Sequence, residues 1–438
     1  MSDLLQLQEP DPPARRAPPS WTAFLELGFR PLYLMGTAWA VVAAAVWVLA
    51  PQWLAGPLQG VAWHAHEMLW GFVVTIAVGF LLTAGANWTG HNPLQGRPLA
   101  ALCGVWVLAR AGLLWPGEAV YPLAAAADVG FLLAAAGAMA RVVWRARNRR
   151  NYVVSVLLGG LALADALFLH AAARGEHDAL MRHFESGLLA MAVVALLVGR
   201  RVIPFFAMRA VPGLKIDMHE GSARVQLALG GAAVVLSLLH GLADGGALAA
   251  AAAPALGGLR AALLAACGVL ALWQLVAWRP AAVLGRPMLW ILYLGYAGLA
   301  AGLLLAAARA AGVPWRAALP VHVVGMAGFA VLIVGMVHRT ALGHLGRALA
   351  LDRWMLASHH ALLCAVALRL AALWPSAATP WLWQAATAAW ALAFGLYLAR
   401  FAGWMLRPRP DTRGKPVTVG GKPVGVQVQP LRRPGAPS

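Results

Sequence analysis

An uncharged apolar stretch with ionisable side chains at one end constrains this chain more than any other feature. Residues 69–86, within WHAHEMLWGFVVTIAVGFLLTAGANWTG, carry no charged side chain. As a helix, this segment is long enough to cross the hydrocarbon core of a bilayer. His64, His66 and Glu67 lie just before these residues, at the start of the same motif. Ionisable groups at the mouth of a membrane helix are costly to keep there, so they indicate a functional site.

Composition places the chain among polytopic membrane proteins. Hydrophobic residues make up 61% and charged residues 11% of its 438 residues, whereas a soluble domain carries about 25% charged residues. The net charge of +18 would suit a nucleic-acid partner. However, the basic residues are spread over short loops and form no basic domain, so we expect no nucleic acid and a lipid bilayer as the surroundings. The polar, proline-rich start of the sequence lacks the pattern of a cleavable signal peptide.

Twelve apolar spans of bilayer length predict an all-α fold, a polytopic transmembrane helix bundle. Their approximate bounds are 32–50, 66–86, 99–115, 121–144, 152–172, 184–205, 225–240, 259–278, 288–308, 319–338, 354–373 and 381–405. The seventh span has the weakest pattern. The run of alanines near residue 250 is compatible with a loop or with an interfacial helix.

The distribution of arginine and lysine predicts the orientation of the bundle. One set of alternate loops holds basic clusters, as at residues 141–150 and 200–215, whereas the other loops hold isolated basic residues. By the positive-inside rule the first set is cytoplasmic, and an even number of spans places both termini there. We predict a disordered cytoplasmic N-terminus over residues 1–23, a transmembrane helical domain over 24–406 and a disordered cytoplasmic tail over 407–438.

The histidines fall into two layers at opposite ends of the predicted spans. The outer layer contains His64, His66, His170, His183, His240 and His322, and the inner layer contains His91, His338, His344, His359 and His360. His322 and His338 lie on one predicted helix, about 24 Å apart at a rise of 1.5 Å per residue, so they cannot share an ion. The sequence therefore permits two sites, or one site and one structural layer.

The outer layer is the better candidate for a metal. On a regular helix His64 and His66 point about 200° apart, so they converge on one ion only if His64 precedes the helix. Otherwise they serve different partners, one as a haem ligand and the other facing copper or Glu67. His170 and His322 could complete such a site. A single interfacial histidine usually bonds water and carbonyl groups, but several at one depth favour ligation.

Several polar residues have two interpretations each. Glu67 either holds an imidazole tautomer or is a carboxylate stabilised at a helix N-terminus. The basic residues of HRTALGHLGRAL, which begins at His338, either clamp haem propionates or form a positive-inside loop with glycine turns. The pair of histidines at 359–360 is interpreted as structural. Arg110 and Arg369 lie toward the outer ends of their spans and are interpreted as snorkelling.

Five motifs together resemble the NnrS family of bacterial inner-membrane proteins. They are FRPLYL at Phe29, WHAHEMLWGF at Trp63, GFLLTAGANWTG at Gly79, GRRVIPFF at Gly199 and HRTALGHLGRAL at His338. Segments ending at His170 and around His322 look similar as well, and the resemblance runs from Phe24 to about Pro410. The family is linked to nitric-oxide stress and described as binding haem and copper.

This chain departs from the family pattern at two motifs. The family tends to have FRPFF where this chain has Leu32 and Tyr33, and GHTGRPL where it has Leu345 and Ala348. The threonine hydroxyl absent at Leu345 weakens any role of that turn in binding a ligand. The histidines and arginines at the matching positions are all present.

The resemblance implies that the chain binds haem and copper in the bacterial inner membrane. The candidate cofactor-binding residues are His64, His66, His170, His322, Arg339, His344 and Arg347, and those proposed for the metal are His64, His66 and His322. The candidates for supporting side chains around the site are Glu67, Asn87, Trp88, Arg30 and Arg201. Nitric oxide is the expected small ligand, and the electron donor is left open.

Three functions remain open at the level of sequence. The first is a haem- and copper-binding membrane protein that senses, binds or helps to detoxify nitric oxide, whether or not it is an enzyme. The second is a membrane permease or metal-delivery transporter that uses the same polar residues as a pathway. Helices broken at glycine or proline near mid-membrane would favour it. The third is a structural assembly factor for respiratory complexes, which would hold no tightly bound cofactor.

Overall fold

A computed structural model describes residues 18–115, 117–242, 247–410, 418–419 and 422–423 of the chain. Within these residues, twelve helices are long and apolar enough to cross a membrane, as the spans predict. The all-α, multi-pass fold class is therefore confirmed. The predicted disorder of the chain ends falls mainly outside the described residues.

The helices are numbered α1 to α12 in chain order. They are α1 (Phe29–Leu49), α2 (Gly60–Thr89), α3 (Arg97–Leu114), α4 (Tyr121–Arg145), α5 (Tyr152–Ala173), α6 (His177–Ala210), α7 (Glu220–Leu242), α8 (Ala247–Ala277), α9 (Pro287–Ala310), α10 (Ala318–His344), α11 (Arg353–Ala371) and α12 (Thr379–Met405). Short 3₁₀ turns lie at Pro51–Trp53, Arg149–Asn151 and Pro280–Val283. Two strands, β1 (Thr418–Val419) and β2 (Lys422–Pro423), pair antiparallel.

Two regions that the sequence left open are helical. The weak seventh span is the full helix α7, and the alanine run near residue 250 belongs to α8, which continues past Pro254. Before α1, Trp21–Phe24 form a helical turn, and the Ser20 side chain accepts a hydrogen bond from the backbone N–H of Ala23.

The bundle closes on itself because its first and last helices pack together. Helix α1 contacts α12, and the backbone N–H of Ser20 donates to the carbonyl of Leu406 at 2.7 Å. Arg30 donates to the carbonyls of Met405 and Arg407 at 3.0 and 2.7 Å. The two ends of the helical region thus lie at the same end of the bundle. Their cytoplasmic location stays a prediction.

Helix α2, which contains the uncharged apolar residues 69–86, is the central helix. Some 83% of its most apolar window is buried, against 22% for α8 at the periphery. It contacts α1, α4, α6 and α10. The polar side chains of His66, Glu67, Thr75 and Thr83 on α2 are accordingly buried inside the protein.

Both α2 and α10 contain a π-helical segment. These segments are Glu67–Val74 and Val323–Ala330, and each begins immediately after a histidine, His66 or His322. The two segments contact each other inside the bundle. Wide turns of this kind are rare in helices and frequent at functional sites. The α2 segment carries Glu67 and follows His66, and the α10 segment follows His322.

Candidate functional site

A cavity of about 340 Å³ lies near the N-terminal ends of α2 and α10. It is walled by α1, α2, α6, α10, α11 and α12, mostly with aliphatic and aromatic side chains. Its ionisable lining residues are His64, Glu185, His322 and Arg369. A concave, largely apolar space with a few converging polar groups is the usual form of a small-molecule or cofactor site.

His64 presents a nitrogen that nothing in the described protein satisfies. Its ring stacks on Trp47, with centroids 4.9 Å apart and planes inclined by 17°. Its Nδ1 is buried and has no hydrogen-bond partner among the described residues. Buried polar atoms almost always have a partner, so this nitrogen points to a ligand or an ordered water.

His322 is held in one tautomer by its own helix. Its Nδ1 lies 2.7 Å from the carbonyl oxygen of Ala318, one turn earlier. Because a carbonyl only accepts, Nδ1 carries the proton and Nε2 keeps its lone pair. Histidines that bind metals are commonly oriented by such a bond from the other ring nitrogen. His322 is therefore prepared to ligate through Nε2.

Arg369 brings a positive charge to the same cavity. Its guanidinium lies 5.9 Å from the ring centroid of Trp383, another lining residue. Glu185, by contrast, is paired with Arg260 at 2.5 Å. Arg369 can therefore neutralise a carboxylate on a bound molecule. The sequence interpretation of Arg369 as a snorkelling residue did not anticipate that it lines the cavity.

His66 does not line the cavity. Its Nδ1 lies 2.9 Å from Oε1 of Glu67, and its Nε2 lies 2.9 Å from Asp165 and 3.1 Å from Asp128. Both ring nitrogens are thus engaged by carboxylates. The sequence allowed His64 and His66 either to share an ion or to serve different partners. The structure has the second arrangement, with His66 facing Glu67.

The carboxylates around His66 also bind an arginine. Nη1 of Arg110 lies 2.5 Å from Oε2 of Glu67, and Nη2 contacts Asp128. The same Oε2 accepts a hydrogen bond from Trp39 at 2.5 Å. We call His66, Glu67, Arg110, Asp128 and Asp165 the buried charge cluster. Its side chains are at most 2% exposed.

The buried charge cluster has more potential negative than positive charge. Three carboxyl groups face one guanidinium and one imidazole, so even a protonated His66 leaves one negative charge in excess. An uncompensated charge is very costly in the protein interior. An additional proton or a bound cation is therefore needed for neutrality. Ligand atoms of His66, Asp128 and Asp165 lie within 4.8 Å of one another, so this group could hold a metal ion.

Gly71 makes room for the buried charge cluster. A Cβ at this position would lie 2.6 Å from Oε2 of Glu67, 2.7 Å from Nη1 of Arg110 and 2.8 Å from Nε1 of Trp39. The ion pair can therefore approach the backbone of α2 only because residue 71 has no side chain. This is a structural reason for the glycine in WHAHEMLWGF.

The other candidate cofactor residues lie outside the cavity. His170 is exposed at the C-terminal end of α5. Arg339 lies 4.1 Å from the ring centroid of Phe206, and its Nη1 donates to the sulfur of Met288 at 3.4 Å. The remaining two contact aromatic rings, since His344 packs on Phe29 and Arg347 lies over Trp404. Of the candidate cofactor residues, the structure brings His64 and His322 together at this cavity.

Most of the candidate supporting residues have structural contacts. Arg30 binds carbonyls at the end of α12, and Arg201 donates to Oδ1 of Asn151 at 2.8 Å. Asn87 is exposed, and the carbonyl of Trp88 accepts from Asn148 at 3.0 Å. Glu67 alone among these five residues contacts a candidate histidine.

Sequence reasoning missed three members of the buried charge cluster. Arg110 was interpreted as snorkelling, and Asp128 and Asp165 were not singled out. A signal was present, because each aspartate is a lone acid within an apolar run, AAAADVGF and LALADALF. A carboxyl group inside a membrane span indicates function or an internal partner.

A model of the family described as NnrS protein matches residues 23–409. The chain belongs to the NnrS family. No curated protein matches the sequence. The match covers all twelve helices of the bundle, so both the cavity and the buried charge cluster lie within the NnrS region. The resemblance to the NnrS family is therefore confirmed, and this NnrS protein is a multi-pass membrane protein.

Proposed function

We propose that this NnrS protein binds haem and copper in the bacterial inner membrane, and that it binds or helps to detoxify nitric oxide. The observation that supports the proposal most is the placement of His64 and His322 on one cavity. His64 has a buried nitrogen without a partner among the described residues, and His322 has a fixed tautomer that leaves a lone pair on Nε2.

The side chains around the cavity fit a haem. Its walls are mainly apolar, its volume of about 340 Å³ is within the range of small-molecule sites, and Arg369 can pair with a propionate. His64 or His322 would hold the haem iron through an imidazole nitrogen. When bound, haem iron supplies affinity for a diatomic ligand such as nitric oxide. The apolar walls would exclude water from that ligand.

The second imidazole at the cavity suits copper, because imidazole is a good ligand for that metal. His66 is not proposed as a ligand of this site, since carboxylates occupy both of its ring nitrogens. Arg339 and Arg347 are not proposed as propionate partners, because neither lines the cavity. Arg369 takes that role in the proposal.

Removal of either cavity histidine tests the proposal directly. His64→Ala and His322→Ala should each abolish cofactor retention while the protein still inserts and purifies. Haem would be measured as its pyridine complex and copper by elemental analysis, each per mole of protein. His170→Ala is the matched control, because this exposed histidine lies outside the cavity. Unchanged haem and copper in both cavity variants would contradict the proposal.

The buried charge cluster favours a second candidate function, a permease that moves protons or cations. Ionisable groups inside membrane bundles commonly mark such pathways. Ion flux into proteoliposomes would test it, with Glu67→Gln removing one carboxylate from the cluster. Flux that depends on Glu67, in a protein that purifies without a cofactor from cells supplied with haem and copper, would favour the permease.

A further inference from the structure

A second group of buried polar rings lies toward the C-terminal end of α10, far from His322. It comprises His338 on α10, His359 on α11 and Tyr397 on α12, each with 0% of its surface exposed. The ring centroid of His338 lies 5.1 Å from that of His359 and 5.4 Å from that of Tyr397. Two imidazoles and a phenol from three helices are thus packed together in the interior, with His338 against both of the other rings.

Four polar atoms in this group have no hydrogen-bond partner in the part of the chain that the structure describes. They are Nε2 of His338, Nδ1 and Nε2 of His359, and the hydroxyl of Tyr397. Isolated unsatisfied atoms of this kind are rare in protein interiors, and four at one place are more unusual still. The concentration indicates that the group binds something other than the protein.

His338 is oriented as a ligand. Its Nδ1 lies 2.7 Å from the carbonyl oxygen of Val334, so Nδ1 carries the proton and Nε2 keeps a lone pair. The same device orients His322 through Ala318, at the other end of the helix. A backbone carbonyl that fixes the imidazole tautomer is a common feature of metal sites.

The surroundings limit the charge of the bound species. No carboxylate forms an ion pair with His338 or His359 among the described residues. Asp352, which acts on His338 electrostatically, is already paired with Arg400 at 2.5 Å, and Phe401 packs 5.4 Å from the His338 ring. A divalent ion without a counter-charge is strongly disfavoured in such an interior, and a monovalent ion less so. Imidazole nitrogens are suitable ligands for copper.

We propose that His338 and His359 bind a copper(I) ion, with the hydroxyl of Tyr397 beside it. The site is separate from the cavity at His64 and His322, because His322 and His338 lie about 24 Å apart along α10. It goes beyond the proposed function, which assigns no ligand to this end of the bundle.

The test uses the full-length protein in detergent, stripped of metal and titrated anaerobically with copper(I) against a chromogenic copper(I) chelator. The parent variant carries His64→Ala and His322→Ala, so that the cavity contributes no copper. We expect the parent to bind one tight copper(I) per chain. His338→Ala and His359→Ala should each lose that equivalent, and Tyr397→Phe should bind it about tenfold more weakly.

His360→Ala is the matched control. This histidine follows His359 but is exposed, and its Nδ1 is bonded to the carbonyl of Leu356 at 2.9 Å. It should leave the copper equivalent unchanged. If the alanine variants fail to fold, copper X-ray absorption of the loaded parent should show scattering from two imidazoles.

Two results would overturn the proposal. One is a parent that binds no copper(I), which would mean that ordered water satisfies the four polar atoms. The other is a copper equivalent that both histidine variants retain. Because the parent lacks the cavity histidines, neither result bears on the haem and copper proposed there.

Discussion

At the scale of single residues, Arg110 is the side chain on which the buried charge cluster most depends. It contacts both Glu67 and Asp128 and is only 2% exposed. Without it, two buried carboxylates would lose their common cation. Breaking a buried ion pair by removing one partner is far more costly than breaking an exposed pair.

Arg110→Gln should therefore lower the free energy of unfolding by about 3–5 kcal/mol. Thermal unfolding in detergent, followed by circular dichroism, would measure the change. Arg174→Gln is the control, because Arg174 pairs with Glu176 at the surface, where both side chains are exposed. An Arg110 variant that melts like the Arg174 variant would contradict the account of the buried charge cluster.

Residue spacing along the sequence predicted part of this site. The angle of about 200° between His64 and His66 allowed them to face different surroundings. In the structure His64 lines the cavity, whereas His66 faces the carboxylates of the buried charge cluster. Local spacing could not supply the partners of His66, because Asp128 and Asp165 lie on other helices. Such long-range pairs depend on how the helices are arranged, which an apolar span does not encode by itself.

At the scale of elements, the close approach of α9 and α10 depends on glycine. A Cβ at Gly298 would lie 2.1 Å from the carbonyl oxygen of Ala327, within the π-helical segment Val323–Ala330. A Cβ at Gly302 would lie 2.4 Å from the side-chain Cγ2 of Val324 and 2.9 Å from its backbone nitrogen. Small residues let membrane helices pack backbone to backbone.

Gly298→Ala should destabilise the bundle by about 1–3 kcal/mol or more, because backbone atoms cannot move aside as a side chain can. Its thermal midpoint in detergent should fall accordingly. Gly395→Ala is the control, since a Cβ there would meet nothing within 4 Å. It should leave the midpoint unchanged or raise it, because alanine favours the helix over glycine. Equal midpoints for the two variants would be evidence against this packing.

Asp352 caps the start of α11. Its side chain accepts from the backbone N–H groups of Trp354 and Met355, both at 3.0 Å, and pairs with Arg400 at 2.5 Å. Burial alone would raise the pKa of this carboxyl. The hydrogen bonds and Arg400 outweigh burial and hold the pKa below its ordinary value.

Asp352→Ala should cost about 0.5–2 kcal/mol at neutral pH. Because the folded-state pKa is lowered, the stabilisation is present above the unfolded pKa of about 3.9 and is lost as the pH falls further. The difference in melting temperature from wild type should therefore shrink below about pH 4. Asp352→Asn, which keeps a capping oxygen but no charge, should cost less. A difference that does not vary with pH would count against the charged cap.

The helices themselves were predictable because bilayer-length apolar runs have few alternative folds. The π-helical segments Glu67–Val74 and Val323–Ala330 were not predicted. A wide turn within a mainly apolar run changes which residues face inward, but it requires no particular residue type that the sequence would reveal. Because the residues after a π-helical turn are rotated relative to a regular α-helix, helical periodicity alone does not predict which side chains line the cavity.

At the scale of the whole molecule, buried polar groups occur toward both ends of α10. The cavity with His64 and His322 lies near the starts of α2 and α10, and the group around His338 lies toward the far end of α10. The two histidine layers expected from sequence are therefore present as two separate groups. The sequence could not show which members of each layer lie together. For example, His170 of the outer layer is exposed, whereas His359 of the inner layer is buried.

The proposal that the cavity of His64 and His322 holds a haem that binds nitric oxide is tested most directly by an absorption spectrum. The spectrum of the reduced, detergent-purified protein would be recorded before and after addition of nitric oxide. We expect a Soret band that shifts with nitric oxide, and we expect no such band in His64→Ala or His322→Ala. The His170→Ala variant should behave like wild type. A wild-type protein that shows no Soret band, although its cells were supplied with haem and copper, would contradict the account.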